Sequence, residues 1–184
     1  MTFLIIVLAI VVIIALWFAA AYNGLVILRN KVKDQWAQVD VQLKRRADLI
    51  PNLVETIKGY AKHEKQTLED VVKARNTFVA ATTPEAEMEA DGELTKMVSK
   101  LMMLTENYPE LKANENFLSL QADLRQCEDK ISIMRQFYND TVLKYNNKVQ
   151  TVPTNIVAAK FNFTTEKFFE TTGEDREAPK VSFE

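Results

Sequence analysis

The sequence holds one histidine, His63, and one cysteine, Cys127, so chemistry built on paired imidazoles or paired thiols cannot be written on it. His63-Glu64-Lys65-Gln66-Thr67 opens like the zinc-protease motif His-Glu-x-x-His, but Thr67 stands where the second imidazole must ligate. A metal centre needs about three converging protein ligands. A di-iron bundle needs paired Glu-x-x-His motifs, and Tyr60 occupies the position three before His63. What stays open to His63 is phosphotransfer, as on the phospho-accepting helix of a histidine kinase. No nucleotide-binding segment follows, so the phosphate would have to arrive in trans; the plainer reading is a surface or bundle-edge histidine. Cys127 falls on an apolar helical seam, where a small buried hydrophobe is the default. Gly24, Gly59, Gly92 and Gly173 are isolated, which excludes a phosphate-cradling loop. Lys and Arg number 23 against 25 Asp and Glu, a net charge of −2, and that balance gives no footprint for nucleic acid. The expectation is a protein without catalytic residues, metal, cofactor or small-molecule substrate.

With so little chemistry on offer, the elements carry the information. Phe3 to Ala21 are nineteen consecutive apolar residues. At ~1.5 Å each they span roughly 28 Å as a helix, close to the ~30 Å hydrocarbon core of a bilayer. The run contains no charged residue, and Trp17 and Tyr22 lie near its end, where amphipathic rings anchor at the interface. Ala19-Ala20-Ala21 resembles a signal-peptide cleavage site. However, no Lys or Arg precedes the run, and the run exceeds the usual signal core, so an uncleaved single-pass anchor is expected. Arg29, Lys31 and Lys33 follow the apolar run and, with Trp17 and Tyr22, form the candidate lipid interface. By the positive-inside rule the short N-terminus lies outside and the folded domain in the cytoplasm. Lys44-Arg45-Arg46 lies too far along an upright helix to reach lipid, Arg45 being ~35 Å past Ala21. Salt bridges to neighbouring helices or to another subunit are expected there.

Beyond Tyr22 the apolar pattern turns periodic. Leu25, Leu28, Val32, Trp36, Val39 and Leu43 step by three or four, one stripe on a helix. The membrane helix is therefore expected to run on, unbroken, to about Asp48. Pro51 marks the next boundary, because proline suits a first turn and not a helix interior. A second helix is expected from Pro51 to Ala81, capped by Asp48, with Leu53, Ile57, Tyr60 or Ala61, Leu68, Val71 and Phe78 inward. Thr82-Thr83-Pro84-Glu85 opens a third, acidic helix, closed by Tyr108-Pro109. A fourth carries Phe117, Leu120, Leu124, Cys127, Ile131, Met134, Tyr138, Val142, Tyr145 and Val149, a heptad seam with one stutter. Asn114 or Asn116 would cap it and Pro153 stop it, and a short helix follows from Thr154 to Phe161. The fold expected is all-α: a transmembrane helix continuing into an antiparallel bundle of about four long helices. The domains are an anchor over 1–22, a bundle over 23–161 and an acidic tail over 162–184, its end at Pro179–Phe183 extended.

Particular stretches carry a resemblance. Tyr22-Asn23-x-Leu25-Val26 leads through Leu28-Arg29-Asn30-x-Val32 to Trp36-x-Gln38-Val39-Asp40-Val41-Gln42-Leu43-Lys44-Arg45-Arg46. Asp48-Leu49-Ile50-Pro51-Asn52-Leu53-Val54-Glu55 and Gly59-Tyr60-Ala61-x-His63-Glu64 follow, and later Tyr108-Pro109-x-Leu111-Lys112-Ala113-Asn114-x-Asn116-Phe117, Tyr138-Asn139 and Tyr145-Asn146. Together these resemble the LemA family of bacterial membrane proteins, from Tyr22 to Phe183. Departures are local: Cys127-Glu128-Asp129 stands for the usual Thr-Glu-Asn, Met134-Arg135 for Ala-Arg, and Val152-Pro153 for Phe-Pro. The resemblance implies an N-out, C-in single-pass anchor bearing a long-helix bundle, and it implies no enzymatic activity.

The function expected is a non-enzymatic, membrane-anchored scaffold, self-associating through the membrane helix and its cytoplasmic extension. Its subunit or partner interface would use Leu25, Leu28, Val32, Trp36, Val39, Asp40, Leu43, Arg45 and Arg46, with Asp40 as a register device near the seam. Its partners would be membrane lipid, further copies of itself and a membrane protein. The alternative is a monomeric regulatory adaptor for a membrane protease or sensor.

Overall fold

A computed structural model describes residues 1–170, and among them the secondary structure is entirely helical. Helix α1 spans Thr2–Lys58, α2 Lys65–Ala80, α3 Pro84–Thr105, α4 Pro109–Lys112, α5 Glu115–Gln150 and α6 Thr154–Lys160. The chain divides into two compact units, one of Met1–Gln38 with Arg135–Phe168, the other of Val39–Met134 with the chain from Phe169. The expectation for Pro179–Phe183 lies outside the described residues.

In the first unit α1 and α5 run antiparallel. The Trp36 ring meets Tyr138 at 5.4 Å, while Gly24, twelve residues earlier on α1, lies against Lys148, ten residues later on α5. Leu25 and Val32 on α1, and Val142 and Tyr145 on α5, are buried, so the two stripes close on each other as their periods require. In the second unit the end of α1 turns through 59–64 into α2, which packs on α3. Its core takes Val39, Leu43, Ile50, Leu53, Ile57, Val71, Leu94, Leu101, Phe117, Leu124 and Ile131.

Two helix starts follow the sequence closely. Thr83 caps α3, its Oγ1 accepting from the Ala86 amide at 3.3 Å, with Pro84 at the first position. Asn114 caps α5 by accepting from the Phe117 amide at 3.0 Å.

The boundary expected at Pro51 does not exist. Pro51 lies inside α1, and the break comes eight residues later, at Gly59. Proline in a helix interior orphans the carbonyl four residues before it, here that of Ala47. Arg75 on α2 supplies the missing donor, its Nε donating to the Ala47 carbonyl at 3.3 Å. Asp48 is accordingly no cap; its carboxylate faces the same arginine at 3.8 Å. Tyr60, offered for the inner face, is exposed in the turn, and Ala61 takes the buried place. Tyr108-Pro109 closes α3 as expected, but it also opens the short α4.

The expected start of a separate tail at 162 is also moved. Helix α6 ends with Asn162 in the left-handed region (φ 54°). The Phe163 amide donates to the Ala158 carbonyl at 2.9 Å and the Asn162 amide to Ala159 at 3.5 Å, the pattern of a Schellman cap. This reverses the chain and buries Phe163. The extended segment beyond lies along α5. Asn146 grips Glu166 by both backbone groups, donating to its carbonyl and accepting from its amide, each at 2.9 Å. The Tyr138 hydroxyl donates to the Lys167 carbonyl at 3.0 Å.

Candidate functional site

The first sixteen residues of α1, 2–17, are exposed along their whole length, and the most apolar window of this helix has a mean hydropathy of 3.2 with none of it buried. Such a surface is tolerable only in a hydrophobic surrounding, and the helix is long and apolar enough to cross a membrane. Phe18 is the first side chain of α1 to be half-covered, and its cover is the Phe161 ring at 5.8 Å. Phe161 also meets Tyr22 edge-on at 4.8 Å, and Tyr22 meets Phe163 at 5.8 Å. The Arg29 guanidinium lies 4.8 Å from the centre of the Phe163 ring, a cation–π contact.

Five of the residues proposed as lipid-facing therefore separate into two groups. Trp17, Lys31 and Lys33 are exposed, whereas Tyr22, itself 36% exposed, and Arg29 are engaged with the aromatic rings of the α6 turn. Sequence reading missed Phe161 and Phe163 as partners for this site. The available signal was the pair of aromatics flanking Asn162 in a polar stretch.

The stripe proposed as a subunit interface needs a larger correction. Leu25, Val32, Val39 and Leu43 are buried within the chain itself. An apolar stripe of about five turns can be covered by a neighbour of the same chain as well as by a second copy, and here the chain's own helices cover it. Leu28 is half-buried, Trp36 is half-buried against Tyr138, and Arg45 is exposed. Asp40 pairs with Lys44 one turn on, at 2.6 Å. Glu87 lies near both; burial, then the Asp40 charge, raises its carboxyl pKa above the ordinary value of 4.5 against the opposing pull of Lys44. Past the membrane run α1 exposes the large aliphatic residues Ile27 and Val41, which fall off the stripe and so escaped the periodic reading.

Among the described residues Arg46 is the most deeply enclosed cation. Its guanidinium donates to Asp91 on α3, to Thr95 Oγ1 at 3.1 Å and to Glu128 on α5 at 2.9 Å. The salt bridges expected of this cluster thus form within the chain, and Arg46 is unavailable to another subunit. Asp91 is fully buried, while the Glu128 side chain is 46% exposed. Burying Arg46 is tolerable because Asp91 is sealed in with it.

His63 sits exposed in the turn between α1 and α2 and not on a helix, so the likeness to a phospho-accepting helix is lost. Cys127 is buried on the α5 seam, and burial pushes its thiol pKa up from 9.0, away from nucleophilic use. Among the described residues no group of three or more His, Cys, Asp or Glu is placed to hold a metal ion.

Relatives place these features in a known group. Protein LemA of Metamycoplasma hominis is 25% identical over 158 residues, covering 84% of this chain and 71% of its own. Magnetosome protein MamQ 2 of Paramagnetospirillum magneticum is 23% identical over 175 residues, 81% of this chain. Magnetosome protein MamQ of Magnetospirillum gryphiswaldense is 22% identical over 174 residues, 80% of this chain. The chain spans 64% of the length of each magnetosome protein. The family model described as the LemA family matches residues 35–183, taking in the buried Arg46 network, the α5 seam and the Phe163 turn. This membrane-associated helical chain belongs to the LemA family.

Proposed function

We propose that the protein is a non-enzymatic scaffold held in the cell membrane by α1, with its short N-terminus outside and its helical units in the cytoplasm. It gathers further copies of itself, or a membrane protein, at the bilayer. The observation that carries this reading is the sixteen-residue apolar start of α1 left uncovered by the rest of the chain. Within the membrane that face is open to lipid and to an identical neighbour alike, since helix association there depends on close packing and not on hydrophobic burial. Past the membrane, contact between copies would fall on Ile27, Leu28 and Arg45, because the main stripe is spent inside the chain. The magnetosome proteins among the relatives support a place at a membrane. The test is chemical cross-linking in native membranes with an Ile27→Cys variant, Cys127 being buried. Homodimers or a captured membrane protein are expected; a strictly monomeric protein with nothing attached would sink the proposal.

A monomeric adaptor for a membrane protease or sensor is the second reading. It is favoured by an open groove of about 1030 Å³ between the end of α1 and α2, with Val54, Leu68 and Val72 along it and Lys58, Lys62 and Lys73 at its edge. Co-purification separates the two readings: an adaptor brings a distinct polypeptide, a scaffold brings itself.

A further inference from the structure

The α6 turn is a second lipid-contacting element. We infer that Val152, Ile156 and Phe161 enter the head-group and outer acyl region of the same leaflet in which the apolar run of α1 ends, so the chain meets the bilayer at two points of its sequence. The inference rests on the membrane-spanning reading of α1 and adds to it an element that has no spanning capacity of its own.

The depth is set by ring contacts within the first unit. Phe161 lies against both Phe18 and Tyr22. Phe18 is three residues short of Ala21, the last of the apolar run, or ~4–5 Å inside its edge on helical rise. A side chain in contact with Phe18 is therefore at the level of the hydrocarbon boundary and not above the head groups. The Schellman turn after α6 fixes this placement, because Asn162 in its left-handed conformation turns Phe163 inward and leaves Phe161 facing Phe18.

The outward face of the same turn is apolar where an aqueous surface would be polar. Val152 is 79% exposed, Ile156 64% and Phe161 45%, while Thr154, Val157 and Ala158 on the opposite face are buried. Val152 and Phe161 flank α6 and Ile156 lies on it, so the exposed apolar side belongs to the turn as a whole. The buried side faces the chain's own helices; the exposed one is continuous with the uncovered start of α1 through the contact of Phe161 with Phe18. Lys160 ends the helix, where a long cationic side chain can reach lipid phosphates while its stem stays in the apolar layer. Elements of this kind bury their apolar face ~5–10 Å into the head-group boundary.

Full-length protein carrying a nitroxide at Ile156→Cys or, separately, Val152→Cys would be reconstituted in vesicles of phosphatidylcholine and phosphatidylglycerol. Collision rates with oxygen, which partitions into lipid, and with a water-soluble nickel chelate give the depth. Both positions are highly exposed, so neither label disturbs packing, and Cys127 is buried. Trp17→Cys serves as the membrane reference and Leu143→Cys, exposed on α5, as the aqueous one. The expected result is an oxygen-to-nickel ratio at 152 and 156 close to that at 17 and severalfold above that at 143. Ratios equal to that at 143, with 17 still lipid-exposed, would overturn the inference and leave the anchor standing. Low accessibility to both reagents at 152 and 156 would overturn it in favour of a protein partner there. Water exposure at 17 itself would instead strike down the membrane-spanning reading beneath it.

Discussion

At the scale of single residues, the buried ion pair between Arg46 and Asp91 decides more than any exposed charge. Removing one member strands the other in a dry site, which costs roughly 3–5 kcal/mol, whereas replacing both by apolar groups is often nearly neutral. Arg46→Met is therefore expected to lower the denaturation midpoint of the full chain in detergent sharply, and the double variant Arg46→Met/Asp91→Leu to recover much of the loss. Glu128→Gln, at the half-exposed end of the network, should cost about 1 kcal/mol or less. Circular dichroism during urea denaturation measures all three. Glu87 gives a pH test whose sign is opposite to the usual carboxylate case. Its pKa is raised in the folded protein by burial and by Asp40. Its contribution is thus fully present below the ordinary value and lost as pH rises through the folded one. Compared with Glu87→Gln, the wild type should gain thermal stability on acidification from neutral pH towards 4.5; a pH-independent difference between the two would refute the assignment. Cys127 should resist maleimide in the folded chain and react on unfolding, because only the thiolate attacks and burial disfavours it.

At the scale of elements, α1 crosses Pro51 because a donor from another helix replaces the amide that proline lacks. That makes Arg75 and Pro51 energetically coupled. Arg75→Ala should cost about 1 kcal/mol in the native background by stranding the Ala47 carbonyl. In a Pro51→Ala background the new amide can reach that carbonyl, and the cost should shrink to the loss of the Asp48 contact. A double-mutant cycle reads the difference, and additivity would show that the 3.3 Å contact is not what rescues the helix. The extended segment past α6 depends likewise on Asn146, whose side chain offers both a donor and an acceptor to Glu166. Asn146→Ala leaves two backbone groups without those partners, and faster proteolysis near Lys167 is the expected result.

At the scale of the whole molecule, the large uncovered feature is the apolar start of α1, whereas His63 is a solvent-exposed residue of a turn. His63 should be replaceable by Gln with no change in membrane extraction, cross-linking pattern or stability. A phenotype from that substitution would reopen phosphotransfer as a function.

The sequence alone determined the helical class, the membrane-length apolar run, the Asn114/Asn116 start of α5 and the periodic core positions of the long helices, but not buried Ile50, Leu111, Val157, Phe163 or Phe169. Those features are local or periodic: spacing of three and four, a capping side chain before an apolar run, length without charge. Leu53, Ile57, Leu68, Val71 and Phe78 were legible as inward positions even though the helix break between them was misplaced. Only the tertiary structure decided whose surface covers the α1 stripe, since a periodic face specifies that it must be buried and not by which chain. It also decided that Pro51 is crossed and that Arg46 is enclosed, because both depend on side chains brought from far along the sequence. The placement of Phe161 against the membrane helix belongs to the same class: one left-handed residue at Asn162 redirects the chain, and that choice is made by the packing of Phe163.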